Sequence, residues 1–196
     1  MTTIILAAVF AIPAISNGSS KWALHGVESG VTVFTSQVAG SAVPKVRAIA
    51  EVPASTDKVW SYITGQNFKV KGLKEKKSVG NCGTGCELTY VRIGYPFIDD
   101  RHYVAQIVSS VEDKDGAKLY HRKWREVSGQ TPSSVNAIIV EMVDGSWTLE
   151  PVDGGTKTKI TYENHIDLGG DLPPSLFKGG FINSAYTILQ NIIAKN

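Results

Sequence analysis

The chain has 196 residues, of which 42% are hydrophobic and 19% are charged, and its formal net charge is +2. This length and composition are typical of one globular domain with a sizeable core. The small net charge, without a basic stripe interleaved with aromatic residues, argues against nucleic-acid binding.

The N-terminal segment differs from the rest of the chain. Residues 4–15 form an apolar run, interrupted by Pro13, that is too short to span a bilayer. The run ends in a small-x-small pattern at residues 14–16 and is followed by polar residues, although no Lys or Arg precedes it. The sequence therefore predicts a signal peptide over residues 1–16, a mature domain over 17–196, and a periplasmic or secreted location. The alternative is a disordered or packed N-terminal extension.

Two strands and a short helix are predicted next. Residues 31–34 are β-branched or aromatic, and residues 46–52 alternate with the period of a strand. Pro53 ends the second strand, and Ser55 can cap a helix that ends near Gly65. The apolar face of that helix carries Val59, Trp60 and Ile63.

A lysine cluster follows the helix. Its members are Lys71, Lys74, Lys76 and Lys77. A solvated surface is the favoured interpretation, and a phosphate or membrane contact is the alternative.

The two cysteines, Cys82 and Cys86, flank a glycine-rich stretch. Three residues separate them, whereas a thioredoxin-like pair has two, and no further Cys or His nearby completes a metal site. They could close a hairpin disulfide, which an oxidising compartment would favour, or they could be free thiols.

The strand predicted from Cys86 has two distinguishable faces. One carries Leu88, Tyr90 and Arg92, and the other carries Glu87, Thr89, Val91 and Ile93. If the first face lines a cavity, Arg92 is a buried cation that needs a partner and could hold a ligand headgroup. If the face is misjudged, Arg92 is a surface residue.

Most of the second half is predicted to be β-structure, with hairpin turns at residues 113–116 and 153–155. Asp144 and Gly145 could form a bulge or bend. The predicted strands cover residues 103–111, 118–127, 137–149 and 156–165.

A long amphipathic helix is predicted to close the chain, beginning near Pro173 and Pro174. Gly179 and Gly180 lie within it, each at a cost of about 1 kcal/mol relative to alanine, and indicate a weak point, a bend or close packing. The order of elements predicts an α+β fold in which a curved antiparallel sheet wraps around the long C-terminal helix.

The chain contains an ordered series of motifs, namely Tyr90, Pro96, DDRHYV at 99–104, WTLEP at 147–151, GGT at 154–156, Tyr162 and DLGGDLP at 167–173. Together they resemble the steroidogenic-acute-regulatory-related lipid-transfer (START) family, in particular its bacterial members. The similarity covers about residues 22–195.

The resemblance implies a helix-grip fold with an internal apolar cavity between the sheet and the C-terminal helix, which acts with nearby loops as a lid. It implies binding and transfer of a lipid or other hydrophobic small molecule, without catalysis and without a cofactor. A monomer that contacts membranes transiently is expected.

Two departures from the family pattern concern polar residues. The family usually has Arg-Asp before the aromatic residue, and this chain has Arg101, His102 and Tyr103. Some members have a second buried arginine farther along that strand, where this chain has the uncharged stretch 105–107. The headgroup contact of those members therefore cannot be transferred to this chain.

Seven residues are predicted to contact the ligand. For Arg101, pairing with Asp99 or Asp100 in a turn is the favoured alternative. Phe177 and Phe181 lie on the apolar stripe of the terminal helix. The set is Tyr90, Arg92, Arg101, Trp124, Tyr162, Phe177 and Phe181.

A cyclase- or aromatase-type enzyme of the helix-grip superfamily, acting on a small aromatic or polyketide-like substrate, is the alternative function. Tyr162, Glu163 and His165 could supply protons to such a reaction. Adjacent residues of a strand point to opposite faces, so Tyr162 and Glu163 cannot both face one cavity. The predicted signal peptide also argues against this function.

Overall fold

A computed structural model of the chain describes residues 21–65, 68–96, 98–140, 142–169 and 175–196. The predicted signal peptide, its cleavage position and the two prolines expected at the start of the terminal helix lie outside the described residues.

The predicted α+β class is confirmed, with two α-helices and a ten-stranded sheet in the described part of the chain. The helices are α1 (Thr56–Thr64) and α2 (Ser175–Lys195). The strands are β1 (Ala23–Glu28), β2 (Val31–Ser36), β3 (Lys45–Val52), β4 (Leu73–Gly83), β5 (Cys86–Tyr95), β6 (Ile98–Lys114), β7 (Ala117–Glu126), β8 (Ile138–Ile139), β9 (Met142–Val152) and β10 (Lys157–Asp167).

The sheet runs in the order β1-β2-β3-β10-β9-β7-β6-β5-β4, and each of these neighbouring pairs is antiparallel. The two-residue strand β8 pairs with β6 in parallel. Strands β1 and β4 are the two edges. Short hairpins join most neighbours, and the connection from β3 to the far edge contains α1.

The short helix forms as its sequence predicts. The Ser55 side chain accepts a hydrogen bond from the backbone N–H three residues later and caps the N-terminus. Val59 and Ile63, one turn apart, are buried against the sheet. The indole of Trp60 stacks on the ring of Tyr120 in β7 with 4.7 Å between the ring centroids.

The core lies on the face of the sheet that α2 covers, which we call the inner face; the opposite face is the outer face. Helix α2 packs over β2 and β3. The core has two apolar clusters, one centred on β2, β3, β9, β10 and the helices, the other on β5, β6 and the ends of β9 and β10. The side chains of Trp124 and Phe181 pack against both clusters and therefore connect them.

Two strands were not predicted, namely β1 and β4. Strand β4 is eleven residues long, contains Lys74, Lys76 and Lys77, and forms one edge of the sheet. Its residues are mostly exposed, so it lacks the alternation of buried residues by which a strand is recognised. Lysines and the register shifts within this edge strand discourage pairing with another chain.

Of the bulge or bend expected at Asp144 and Gly145, the bulge is wrong. Strand β9 pairs with β10 without a register shift, with Gly145 opposite Asn164. The glycine is required for a different reason, since the indole of Trp124 lies where a Cβ at position 145 would be. No helix among the described residues is long and apolar enough to cross a membrane.

Candidate functional site

An aromatic wall occupies the middle of the inner face. The rings of Trp147 and Tyr162 lie 4.4 Å apart between centroids, and Trp124 lies 6.2 Å from Tyr162. Phe181 of α2 packs against the same region from the helix side. Burial, and secondarily the proximity of Tyr103, raises the pKa of the Tyr162 phenol. This hydroxyl therefore stays protonated and gives an otherwise apolar wall one polar tip.

A polar cluster adjoins this wall on the same face. Arg122 Nη2 donates to Glu87 Oε1 at 2.6 Å, and Arg122 Nη1 donates to Ser109 Oγ at 2.9 Å. The Arg122 side chain is 19% exposed and that of Glu87 41%. The pair is therefore shielded in part from water but remains accessible to a ligand.

Strand register brings the wall and the cluster together. Arg122 lies opposite Ser109 on one neighbouring strand and opposite Trp147 on the other. Residues directly opposite in antiparallel strands point to the same face, so all three side chains face inward. Glu87 reaches the same area because it lies opposite Ile107, which lies opposite Trp124.

Lys76 adds a second cation to this side of the sheet. It pairs with Val91, a buried residue of the inner face. Burial among protein atoms and then repulsion from Arg122 lower the pKa of the Lys76 ammonium, while Glu87 raises it. The residue is nevertheless solvent-accessible.

This arrangement can hold an amphiphile. The aromatic wall offers apolar area to a hydrophobic body, while the cluster offers hydrogen-bond donors and acceptors to one polar group. Two of the five N–H donors of Arg122 are used by Glu87 and Ser109, which leaves donors for a ligand.

Three of the predicted ligand residues, Trp124, Tyr162 and Phe181, are brought together on the inner face. The backbone of Phe177 belongs to α2, but its side chain lies outside the described residues. Ligand contact by any of these residues stays a prediction.

Tyr90 and Arg92 lie on the outer face, so the condition on which Arg92 was assigned to a cavity is not met. Arg92 Nε donates to Asp100 Oδ2 at 2.7 Å. The Tyr90 hydroxyl is 3.2 Å from His102 Nδ1, and the tyrosine is 3% exposed. The alternation along β5 predicts correctly which residues share a face. The inner face, however, is the one that carries Glu87 and not the one that carries Arg92.

Arg101 is 1% exposed at the start of β6. Its Nε donates to the Leu168 carbonyl at 3.2 Å, and its Nη1 donates to the Asp99 carbonyl. The predicted turn contact therefore involves the backbone of Asp99 and not a carboxylate. Arg101 ties the start of β6 to the segment that follows β10, away from the Arg122 cluster.

The sequence analysis did not predict the polar cluster of Glu87, Ser109 and Arg122. A signal was present for Arg122, which stands two residues from Tyr120 and two from Trp124 and so shares a strand face with both. No sequence signal places Glu87 beside Arg122, because the two residues come from separate strands.

The three residues of the alternative enzyme hypothesis are separated by the sheet. Tyr162 faces inward, whereas Glu163 pairs with Arg47 on the outer face. His165 is 1% exposed on the outer side, with Nε2 at 3.2 Å from both Ser41 Oγ and the Val43 carbonyl. The sheet therefore prevents these groups from acting on one substrate.

Two clefts open on the outer face beneath the segment that follows β7. The first, about 210 Å³, is lined by Tyr90, Arg92 and Val104 among others. The second, about 420 Å³, is lined by Leu88, Gln106 and Arg125 among others. No described side chain of α2 lines either cleft, so neither corresponds to the cavity expected between the sheet and the helix, which stays a prediction.

The sulfurs of Cys82 and Cys86 are joined as a disulfide with 5.1 Å between the Cα atoms. The bond closes the turn between β4 and β5. Among the described residues, no group of three or more His, Cys, Asp or Glu side chains is arranged to hold a metal ion.

Comparison with known proteins gives one relative by sequence and several by structure. No protein-family model matches the chain. An uncharacterised protein of Pseudomonas aeruginosa is 25% identical over 193 residues, which is 97% of this chain and 93% of that protein.

The solved structures similar to this chain include StAR-related lipid transfer proteins. One from Xanthomonas axonopodis has a TM-score of 0.72 at 19% identity and covers 89% of this chain and 97% of that one. Human StAR-related lipid transfer protein 5 has a TM-score of 0.75 at 17% identity and covers 88% and 85%. At these identities the likeness shows the fold, so the resemblance to START domains is confirmed at that level, and the chain has their helix-grip fold.

Proposed function

We propose that the protein binds a lipid or similar hydrophobic small molecule between the inner face and α2, and carries it without chemical change. One observation carries this proposal: the aromatic wall around Trp147 and Tyr162 continues directly into the polar pair of Arg122 and Glu87. A hydrophobic body and one polar group can be accommodated there together. The helix-grip fold shared with lipid-transfer proteins supports the same function.

The proposal includes export to the periplasm or the medium and transient contact of a monomer with membranes. The apolar N-terminal run supports export. The disulfide between Cys82 and Cys86 fits an oxidising compartment as well. Mass spectrometry of protein recovered from the periplasm should find a chain that begins at Asn17. A full-length chain retained in the cytoplasm would contradict export.

Native mass spectrometry of the purified protein, followed by organic extraction, tests the binding function. We expect one lipid per chain, either carried through purification or acquired from mixed vesicles. Phe181→Ser should weaken retention of that lipid, because Phe181 joins the two clusters of the inner face. Val108→Ser is the matched control, since Val108 is 45% exposed and lies on the outer face opposite Lys123. A wild-type protein that stays empty after incubation with vesicles would refute the proposal.

A further inference from the structure

The disulfide joins two cysteines whose surroundings differ. Cys82 is exposed on the edge strand β4, at a register shift where the pairing with β5 passes from Asn81 to Gly83 and skips it. Cys86 is half-buried in β5 and pairs with Val108 of β6. A thiol that approaches from solvent therefore reaches the sulfur of Cys82 more easily than that of Cys86.

The larger outer cleft, about 420 Å³, lies beside the exposed cysteine. Cys82 is one of its lining residues, and Cys86 is not. The charged residues that line the cleft, Arg125 and Glu126, are opposite in sign. The cleft therefore offers a small molecule access to Cys82 without a net charge that would select for an anion or a cation.

The sulfur of Cys86 is in contact with a side-chain amide of fixed orientation. Gln106 Nε2 donates to Cys86 Sγ at 3.4 Å, and Arg125 Nε donates to Gln106 Oε1 at 3.0 Å. An arginine side chain can only donate hydrogen bonds, so the amide oxygen must face Arg125 and the amide NH₂ must face the sulfur.

This donor is aimed at an atom that becomes a better acceptor when the disulfide opens. Sulfur without a charge accepts hydrogen bonds weakly, whereas a hydrogen bond to an ionised group is about twice as strong as a neutral one. The contact between Gln106 and Cys86 therefore strengthens as negative charge collects on the Cys86 sulfur. Interactions that strengthen in the transition state accelerate a reaction.

Cys86 is also held in place independently of the disulfide. The backbone N–H of Ser109 donates to the Gly85 carbonyl at 2.8 Å, next to the pair of Cys86 and Val108. These contacts attach the start of β5 to β6 without any contribution from β4. The Cys86 sulfur therefore stays beside Gln106 when its bond to Cys82 breaks.

We propose that the disulfide is an exchange site for a low-molecular-weight thiol, with Cys82 as the sulfur attacked and Cys86 as the leaving group. The incoming thiol gives its proton to water, and its sulfur bonds to Cys82 Sγ as the bond between Cys82 and Cys86 breaks. The electron pair of that bond leaves on Cys86 Sγ, a thiolate that Gln106 stabilises. One disulfide and one thiol become a mixed disulfide and a new thiol, so no further oxidant or reductant is required.

Reduced glutathione is the probe that tests the direction of exchange. The full-length oxidised protein is incubated with it, and the reaction is stopped at set times with excess iodoacetamide. The tryptic peptide 78–92 contains both cysteines, and its fragmentation in a mass spectrometer locates each group. At early times we expect glutathione on Cys82 and the alkyl group on Cys86. Glutathione found first on Cys86, equally on both cysteines, or on neither would overturn the proposal.

Variants of two glutamines that line the same cleft test the stabilisation of the leaving group. Gln106→Leu removes the donor and should slow exchange about three- to tenfold, since only part of the charge has reached the sulfur in the transition state. Gln106→Glu opposes a neighbouring thiolate and should slow exchange at least as much. Gln130→Leu is the matched control and should leave the rate unchanged, because the described residues show no hydrogen bond from the Gln130 side chain to either sulfur.

The sign of the change separates this role from a structural one. If Gln106 only held the hairpin together, its loss would loosen the hairpin, expose the disulfide and accelerate exchange. Circular dichroism establishes that each variant is folded. Exchange in Gln106→Leu that is as fast as in the wild type, or faster, would overturn the role of Gln106.

Discussion

Substitution of Gly145 by alanine should destabilise the protein, although glycine in a strand is normally the less stable choice. A Cβ at this position would point into the inner face and overlap the indole of Trp124. It would also stand 2.7 Å from the backbone carbonyl oxygen of Glu163. That carbonyl belongs to the neighbouring strand β10 and cannot rotate away as a side chain would.

The expected loss follows from these contacts. Overpacking of a filled core costs about 1 to 3 kcal/mol, and the indole of Trp124 cannot move freely because it packs between the two core clusters. The gain from replacing a strand glycine, about 0.5 to 1 kcal/mol, offsets only part of this cost. For a chain of this size, a net loss of about 1 to 2 kcal/mol corresponds to a Tm lowered by roughly 2 to 8 °C.

Urea unfolding, monitored by circular dichroism, measures the change in the free energy of unfolding caused by Gly145→Ala. The matched control is Gly179→Ala, because an alanine Cβ at position 179 of α2 meets nothing within 4 Å. The control should be more stable than the wild type by up to about 1 kcal/mol. Combining Gly145→Ala with Trp124→Leu should cost less than the sum of the single changes. If Gly145→Ala were as stable as the wild type, the packing of Trp124 on β9 would be refuted.

Two further predictions concern the pH dependence of stability and the disulfide. Burial lowers the pKa of His102 and of His165 below the ordinary value of about 6.5, so the unfolded chain takes up protons at a pH where the native chain does not. The free energy of unfolding should therefore be highest above about pH 6.5 and should decrease as the pH falls below that value. The urea concentration at the midpoint of unfolding, measured at about pH 7.5 and about pH 5.5, tests this prediction. Equal midpoints at the two pH values would contradict it. The disulfide between Cys82 and Cys86 closes a loop with a sequence separation of 4, so its reduction should lower the free energy of unfolding by about 2 kcal/mol. Calorimetry with and without reductant measures the change in Tm. An unchanged Tm would show that the bond does not constrain the unfolded chain.

Elements with strong local signals could be predicted from the sequence. Helix α1 has a capping serine, Ser55, and an apolar face with helical spacing, and both features depend on residues within a few positions of one another. The long strands of the second half also have local sequence signals, because the alternation within each strand and the turn residues at its ends identify it. Strand β4 could not be found in this way, since an exposed edge strand buries too little to impose a pattern.

The candidate site was predicted in part. Trp124, Tyr162 and Phe181 could be found because large aromatic residues in strands and on an apolar helix stripe belong to the core side. For Arg92 the sequence leaves a cavity position and a surface position open, because a period of two divides a strand into two faces without identifying the one that α2 covers; the structure places it on the outer face.

The sequence by itself determined the α+β class, the order of most elements and the long terminal helix, because each depends on short-range periodicity, capping and turn residues. Only the tertiary structure decided which face of β5 is inner, and which charges meet there. Glu87 and Arg122 lie on two different strands, β5 and β7, and the register across the sheet brings their side chains to 2.6 Å from each other. Register and curvature result from the packing of the whole core, and no local stretch of the chain encodes them.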